Sequence, residues 1–172
     1  PDLVEAHIKT IIDQGPASVT LGGDHFITLP ILRAYAAKYG PMSVIQFDAH
    51  SDLWADDDMS RIDHGTFMYK AVKLGLVDVT RSVQIGIRTE CDDYCGMPYI
   101  GAREVHEKGA AYVVEKVKKI VGDAPTYVTF DIDALDPAFA PGTGTPVWGG
   151  LASWQAAAIL RDLAGINCVG GD

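Results

Sequence analysis

The stretch MSVIQFDAHSD, residues 42–52, decides the fold class of this chain. Its opening run, up to Phe47, is almost continuously apolar, which is typical of a parallel strand that is covered on both faces. The run then passes directly into acidic and histidine side chains. Residues 126–130 repeat the arrangement, since a run rich in β-branched and aromatic residues again ends in an aspartate, Asp131. The sequence therefore predicts buried parallel strands whose carboxyl ends carry polar groups.

Helical periodicity and strand-like runs alternate along the rest of the chain. Helices are predicted over residues 3–13, 29–39, 67–74, 103–121 and 153–163, and strands over 18–21, 42–47, 82–87, 99–100, 126–130 and 166–170. Such alternation is typical of an α/β fold with a mainly parallel sheet. No repeat, low-complexity segment or linker interrupts it, so we expect one domain over residues 1–172.

Composition excludes several classes of protein. The chain has 172 residues, of which 48% are hydrophobic and 22% charged, and 14 Lys+Arg against 23 Asp+Glu give a formal net charge of −9. These fractions exclude a largely disordered or collagen-like chain. The negative charge and the absence of a basic run argue against a nucleic-acid partner. No apolar stretch approaches the roughly 18 residues of a membrane span, so no membrane partner is expected.

The ends of the chain and its cysteines predict a location and a boundary. No basic and then apolar leader opens the sequence, and three cysteines are too few for a disulfide scaffold. We therefore expect a cytoplasmic protein. The chain begins at Pro1 rather than Met and stops at Asp172, directly after a predicted strand. This indicates an internal part of a longer protein, incomplete at both ends.

Potential metal ligands follow three of the predicted strands. They lie in Gly22-Gly-Asp-His25, in Asp48-Ala-His-Ser-Asp52 and in Asp131-Ile-Asp133. Open α/β sheets bind their ligands at the carboxyl ends of strands. If these segments are extended, alternation would turn Asp48, His50 and Asp52 to one side, and Asp131 with Asp133 to one side. Taken singly, each aspartate is more simply a turn or cap residue, but carboxylates packed together would repel one another without a cation.

The chemistry of these ligands favours manganese. Four carboxylates and two imidazoles, with no cysteine, are too rich in oxygen for a structural zinc site, and two imidazoles are unusual around Mg²⁺ or Ca²⁺. Two divalent ions, roughly 3.5–4 Å apart, would balance the four carboxylate charges. Water held between such ions ionises near neutral pH and becomes a nucleophile, so hydrolysis is the predicted type of reaction.

Five motifs together resemble the ureohydrolase family of arginases and agmatinases, and the agmatinases most closely. They are Gly22-Gly-Asp-His25, Phe47-Asp-Ala-His-Ser-Asp52, His64-Gly-Thr66, Gln84-Ile-Gly-Ile-Arg88 and Thr129-Phe-Asp-Ile-Asp-Ala-Leu-Asp-Pro137 continuing to Gly142-Thr-Gly-Thr-Pro146. The resemblance implies a three-layer α/β/α, arginase-like fold, with residues 1–172 as a partial ureohydrolase-like domain that assembles into homo-oligomers. It also implies a hydrolase with two Mn²⁺ per chain that acts on a small cationic guanidino substrate, converting agmatine to putrescine and urea in polyamine biosynthesis.

The resemblance also implies a role for each site residue. One ion would be held by His25, Asp48, Asp52 and Asp131, and the other by His50, Asp48, Asp131 and Asp133. Asp48 and Asp131 would bridge the two ions. Asp52 would carry a proton to the leaving amine as a catalytic residue, and His64 would exchange protons with solvent. In the family, an acidic residue that grips the guanidinium group would follow after Asp172.

Several alternatives stay open from the residues. Arginine or 4-guanidinobutanoate would use the same chemistry, because the residues that contact the far end of the substrate lie in variable loops. A chain without the guanidinium-gripping acid would be a metal-binding module without turnover. A zinc-dependent deacetylase of related architecture is disfavoured by the aspartate-rich pattern. Residues 56–58, three aspartates, would either attract the distal amine of agmatine or form a solvated loop edge.

Overall fold

A single six-stranded sheet forms the centre of the computed structural model, which describes residues 1–172. The strands are β1 (Ser18–Val19), β2 (Ser43–Phe47), β3 (Val83–Ile87), β4 (Tyr99–Gly101), β5 (Thr126–Phe130) and β6 (Cys168–Gly171). They lie in the order β1-β6-β5-β2-β3-β4, and every neighbouring pair is parallel. The predicted parallel α/β sheet is therefore confirmed.

Helices cover both faces of the sheet. They are α1 (Asp2–Asp13), α2 (Thr28–Tyr39), α3 (Phe67–Lys73), α4 (Ala102–Val121) and α5 (Ser153–Asp162). The first three share a hydrophobic core with Val44 of β2, whereas α4 and α5 share another with Ile45 and Phe47, because successive strand residues point to opposite faces. The three-layer α/β/α architecture is confirmed. None of the helices combines the length and apolar character needed to cross a bilayer.

The clearest differences from the sequence predictions concern α4 and β1. The amphipathic pattern of residues 103–121 predicts one helix, but Gly109 has φ +79° and interrupts α4 there. Strand β1 is shorter than the predicted run 18–21, since it lies at the sheet edge and pairs only with β6. Neither difference moves the ends of β2 and β5, which carry the acidic residues.

Strand register brings the acidic segments together. Phe47 of β2 lies opposite Phe130 of β5, so Asp48 and Asp131 leave neighbouring strands at the same level. The amide of Asp131 donates to the carbonyl of Phe47 at 2.9 Å, which extends this pairing beyond the strand ends. On the other side of β2, Gly86 in β3 has φ +99°, and a Cβ there would lie 2.9 Å from the carbonyl oxygen of Asp48. Glycine therefore permits the close approach of the main chain at Asp48.

Candidate metal centre

Three carboxylates surround one ring nitrogen of His25. The Nδ1 atom lies 3.1 Å from Asp48 Oδ2, 3.0 Å from Asp52 Oδ2 and 3.3 Å from Asp131 Oδ2. This buried nitrogen has no partner with hydrogen-bond geometry. The other ring nitrogen, Nε2, lies 2.8 Å from the hydroxyl of Thr129. A buried nitrogen facing several carboxylate oxygens, with its opposite side already bound, has the arrangement of a metal-ligating histidine.

A second group adjoins the first through Asp48. His50 Nδ1 lies 3.4 Å from Asp48 Oδ1 and 3.1 Å from Asp133 Oδ2. Asp48 thus offers one oxygen to each histidine. The structure brings five of the six predicted ligands into these two groups. The sixth, Asp131, lies 3.3 Å from His25 Nδ1 and makes no such contact with His50.

Turns, rather than extended segments, aim two of the aspartates. Asp52 has φ +52°, and its carbonyl oxygen accepts the amides of Met68 and Tyr69 at the start of α3, at 3.1 and 3.2 Å. Asp133 lies in a 3-10 turn, Ile132–Ala134, and its Oδ1 accepts the amide of Ala49 at 3.1 Å. The side chains therefore converge as expected, but local turns and not strand alternation aim Asp52 and Asp133, because both residues follow the strand end in left-handed or helical backbone.

Burial and neighbouring carboxylates shift the pKa values of the cluster toward bound protons. Burial, together with the charge of Asp48, raises the pKa of Asp52 to about 7. Burial by itself would lower the pKa of His25, but contacts with Asp131, Asp48 and Asp52 outweigh it and raise that pKa well above its ordinary value. Contacts with Asp133 and Asp48 likewise raise the pKa of His50 to about 10. The raised pKa values mean that bound protons offset the negative charge of the carboxylates. Two divalent cations would offset the same charge, so these residues fit a pair of such ions.

Glutamines that sequence analysis had not singled out as site residues hold Asp48. The amide of Gln46 donates to Asp48 Oδ2 at 2.7 Å, and the amide of Gln84 donates to Gln46 Oε1 at 2.7 Å and to the carbonyl of Ser51 at 2.6 Å. Both glutamines are fully buried within strands. A polar residue inside an otherwise apolar strand, two positions before a ligand, was the signal that could have revealed this support.

Arg88 ties the ligand-bearing loops together. Its guanidinium donates to the carbonyl of Asp133 at 2.7 Å, to that of Val147 at 2.7 Å and to that of Gly86 at 3.1 Å. No carboxylate pairs with it directly. Burial lowers the pKa of Arg88, while the charges of nearby aspartates oppose that effect. One rigid, planar donor group therefore holds the carbonyl of Gly86 in β3 and two carbonyls of the segment after β5.

An open cleft of about 480 Å³ adjoins the His25 group. Its ionisable lining side chains are Asp24, His25, His64, Asp131 and Asp172, and no lysine or arginine lines it. His64 lies on its wall with 54% of the side chain exposed, and its Nδ1 is 3.1 Å from Asp24 Oδ2. The structure thus places His64 beside solvent and outside the ligand groups.

Residues 56–58 do not face this cleft. Asp56 lies 3.1 Å from the ammonium of Lys70, whose side chain is fully buried, and Asp57 accepts the hydroxyl of Tyr69 at 2.9 Å. The third carboxylate accepts hydrogen bonds inside its own turn. Asp56 and Asp57 therefore anchor the loop between Asp52 and His64 to α3, and none of the three aspartates lines the cleft.

Comparisons with known proteins agree with this architecture. The protein-family model described as Arginase family matches residues 1–172. An agmatinase of Chromobacterium violaceum is 52% identical over 173 residues, which cover 100% of this chain and 53% of that protein. The crystal structure of a hypothetical agmatinase from Burkholderia thailandensis has a TM-score of 0.97 and 56% identity, covering 98% of this chain and 54% of that one. The proclavaminate amidino hydrolase of Streptomyces clavuligerus has a TM-score of 0.94 and 39% identity, covering 99% of this chain and 59% of that one.

The chain spans about half the length of the curated relatives it matches. Within that span, the similarity extends over both the ligand-bearing turns and the helical layers, because almost the whole chain is covered. The resemblance first indicated by the motifs is confirmed. This chain belongs to the Arginase family.

Proposed function

We propose that the full-length protein is a binuclear manganese hydrolase that converts agmatine and water to putrescine and urea. The observation that carries the proposal is the pair of histidine–aspartate groups sharing Asp48, in which His25 Nδ1 is buried without a hydrogen-bond partner. Relatives named agmatinase, and one named proclavaminate amidino hydrolase, support an amidine as the substrate class. The product would enter polyamine biosynthesis.

The ligand assignment follows the two groups. The first ion would be held by His25, Asp48, Asp52 and Asp131, and the second by His50, Asp48, Asp131 and Asp133. When bound, the two ions would supply Lewis-acid activation of water for attack on the guanidinium carbon. Mn²⁺ suits this mixture of carboxylate and imidazole ligands better than Ca²⁺, Mg²⁺ or structural zinc.

Two side chains of this chain would transfer protons during the reaction. The leaving amine must gain a proton before the C–N bond breaks, and Asp52, held 3.0 Å from His25 Nδ1, is the proposed carrier. His64 lies on the cleft wall beside Asp24 and is half exposed, so it can exchange protons between the cleft and solvent.

The charge of the cleft favours a substrate whose far end is cationic. Outside the proposed ligands, the acidic side chains that line it are Asp24 and Asp172, and no lysine or arginine lines it. Repulsion between a substrate carboxylate and one of these aspartates, about 4 Å apart, would weaken binding by about 1 kcal/mol in water and by about 4 kcal/mol at an effective dielectric constant of 20. Agmatine ends in an ammonium group, whereas arginine and 4-guanidinobutanoate carry a carboxylate, so agmatine is the preferred candidate.

The remaining features of the proposal concern the whole protein. Residues 1–172 would form one partial ureohydrolase-like domain of a cytoplasmic homo-oligomer. Size-exclusion chromatography with light scattering measures the oligomeric state directly. A monomer that retains full activity would contradict that part alone.

The test is Mn²⁺-dependent urea release by the full-length protein, with agmatine, arginine and 4-guanidinobutanoate compared side by side. Turnover with agmatine as the preferred substrate is expected. Preference for a carboxylate-bearing substrate would overturn the agmatine assignment and retain the hydrolase. Absence of urea from all three, with two metal ions bound, would indicate a binding module, and Zn²⁺-dependent release of acetate from an acetylated amine would indicate a deacetylase.

A further inference from the structure

A row of hydrogen bonds lies behind His25, on the side away from the carboxylates. His25 Nε2 is 2.8 Å from Thr129 Oγ1, and Thr129 Oγ1 donates to Asp172 Oδ1 at 2.6 Å. The three residues come from separate parts of the chain: a turn after β1, strand β5 and the residue after β6. The pairing of β5 with β6 brings Thr129 and Asp172 together, and the turn after β1 places His25 beside them.

The row has a defined direction. A carboxylate can only accept, so the single hydroxyl proton of Thr129 is committed to Asp172. Toward His25, the Thr129 oxygen must then act as the acceptor, and Nε2 must carry a proton. In the neutral ring this leaves the lone pair on Nδ1, the atom that faces Asp48, Asp52 and Asp131 at 3.0–3.3 Å.

Asp172 is itself held in place. Its Oδ2 accepts the hydroxyl of Tyr127 at 2.8 Å and that of Thr28 at 3.0 Å. Its amide donates to the carbonyl of Val128 at 3.0 Å, which continues the pairing of β6 with β5. Both carboxylate oxygens are therefore occupied, and Asp172 serves as a fixed acceptor.

We propose that Thr129 and Asp172 are positioning residues that set the orientation and the Nδ1-ligating tautomer of His25, and thereby the metal affinity of the centre. The acceptor charge of Asp172 acts through the hydroxyl and makes the imidazole a better ligand. This inference rests on the metal centre of the proposed function but is independent of the substrate. It assigns a role to a threonine that precedes Asp131 by two positions and to an aspartate outside both ligand groups.

The test compares valine and serine at position 129 in the full-length protein. Thr129→Val keeps the shape of the side chain and removes the hydroxyl, so the dissociation constant for Mn²⁺ should rise about 10–100-fold, measured by electron paramagnetic resonance of free Mn²⁺. Thr129→Ser restores the hydroxyl and should bring the constant back close to the wild-type value. In the diamagnetic Zn²⁺-loaded protein, the Nε2–H proton of His25 should be visible by NMR in the wild type and in Thr129→Ser, and lost by exchange in Thr129→Val.

Two further variants separate positioning from packing. Thr126→Val removes another buried hydroxyl from β5, one that donates to the carbonyl of Ala124 at 2.9 Å, and should leave Mn²⁺ affinity unchanged. Asp172→Asn keeps the volume but removes one acceptor oxygen, and should weaken Mn²⁺ binding even if Thr129→Val does not fold. Wild-type Mn²⁺ affinity in Thr129→Val or in a folded Asp172→Asn, or an equal loss in Thr126→Val, would overturn the inference. Absence of urea release from the wild-type protein, with normal Mn²⁺ binding, would contradict the proposed function and leave this inference intact.

Discussion

Replacement of Gly86 by alanine tests whether close packing of β3 against Asp48 maintains the metal centre. Gly86 has φ +99°, and an added Cβ would lie 2.9 Å from the carbonyl oxygen of Asp48 and 2.9 Å from Leu151 Cδ1. The leucine methyl can rotate away, but the Asp48 carbonyl belongs to the main chain between β2 and the ligand loop. Relief of the clash must therefore move Asp48.

The expected destabilisation has two parts. An L-residue in left-handed backbone costs roughly 1–2 kcal/mol. Forcing an extra methyl group into a packed site adds typically 1–3 kcal/mol. Gly165→Ala is the matched control, because Gly165 has φ +96° and no atom within 4 Å of an added Cβ. Gly165→Ala should lose only the stability that the left-handed backbone costs. The loss in the free energy of unfolding should therefore be about 1–3 kcal/mol larger in Gly86→Ala.

Urea denaturation of the metal-free, full-length proteins measures both free energies of unfolding, and a Mn²⁺ titration measures the effect on the centre. Only Gly86→Ala should weaken Mn²⁺ binding, since only that methyl displaces a ligand. Equal destabilisation in the two variants, with unchanged Mn²⁺ affinity in Gly86→Ala, would refute the argument that the close approach positions Asp48.

Three other outcomes follow from the same geometry. Asp131→Asn removes one carboxylate charge from the centre and should abolish both metal retention and urea release; a variant that keeps two Mn²⁺ per chain by elemental analysis and remains active would contradict the ligand assignment. The metal-free protein should lose stability as pH rises. In the folded state the pKa of His50, about 10, and that of Asp52, about 7, lie above their ordinary values. The stabilisation from these two bound protons is therefore complete at low pH and is lost as pH rises through the folded-state values. Denaturation curves between pH 6 and 10 check this sign, and saturating Mn²⁺ should remove the trend. Lys70→Met removes the buried cation that holds Asp56 and the carbonyl of Arg61, so limited proteolysis should cut residues 53–63 faster than in the wild type, and an unchanged cleavage rate would show that other contacts hold the loop.

Sequence by itself determined the layers and the location of the acidic cluster. Continuous apolar runs such as residues 42–47 are recognisable because a strand covered on both faces has no polar side. Placement of Asp48 and Asp131 at strand ends then followed from parallel pairing, which brings the carboxyl ends of neighbouring strands to one edge. The five motifs were sufficient to identify the family, since each lies within a short, continuous segment.

Tertiary structure alone decided how the ligands are aimed and supported. The turn at Asp52 depends on the amides of α3, and the partners of Asp56 and Asp57 lie on the same helix, so neither could be predicted from local pattern. The row from His25 through Thr129 to Asp172 joins residues that are 104 and 43 positions apart. Contacts of this kind depend on strand order and register, which bring distant residues within hydrogen-bonding distance only once the sheet has formed.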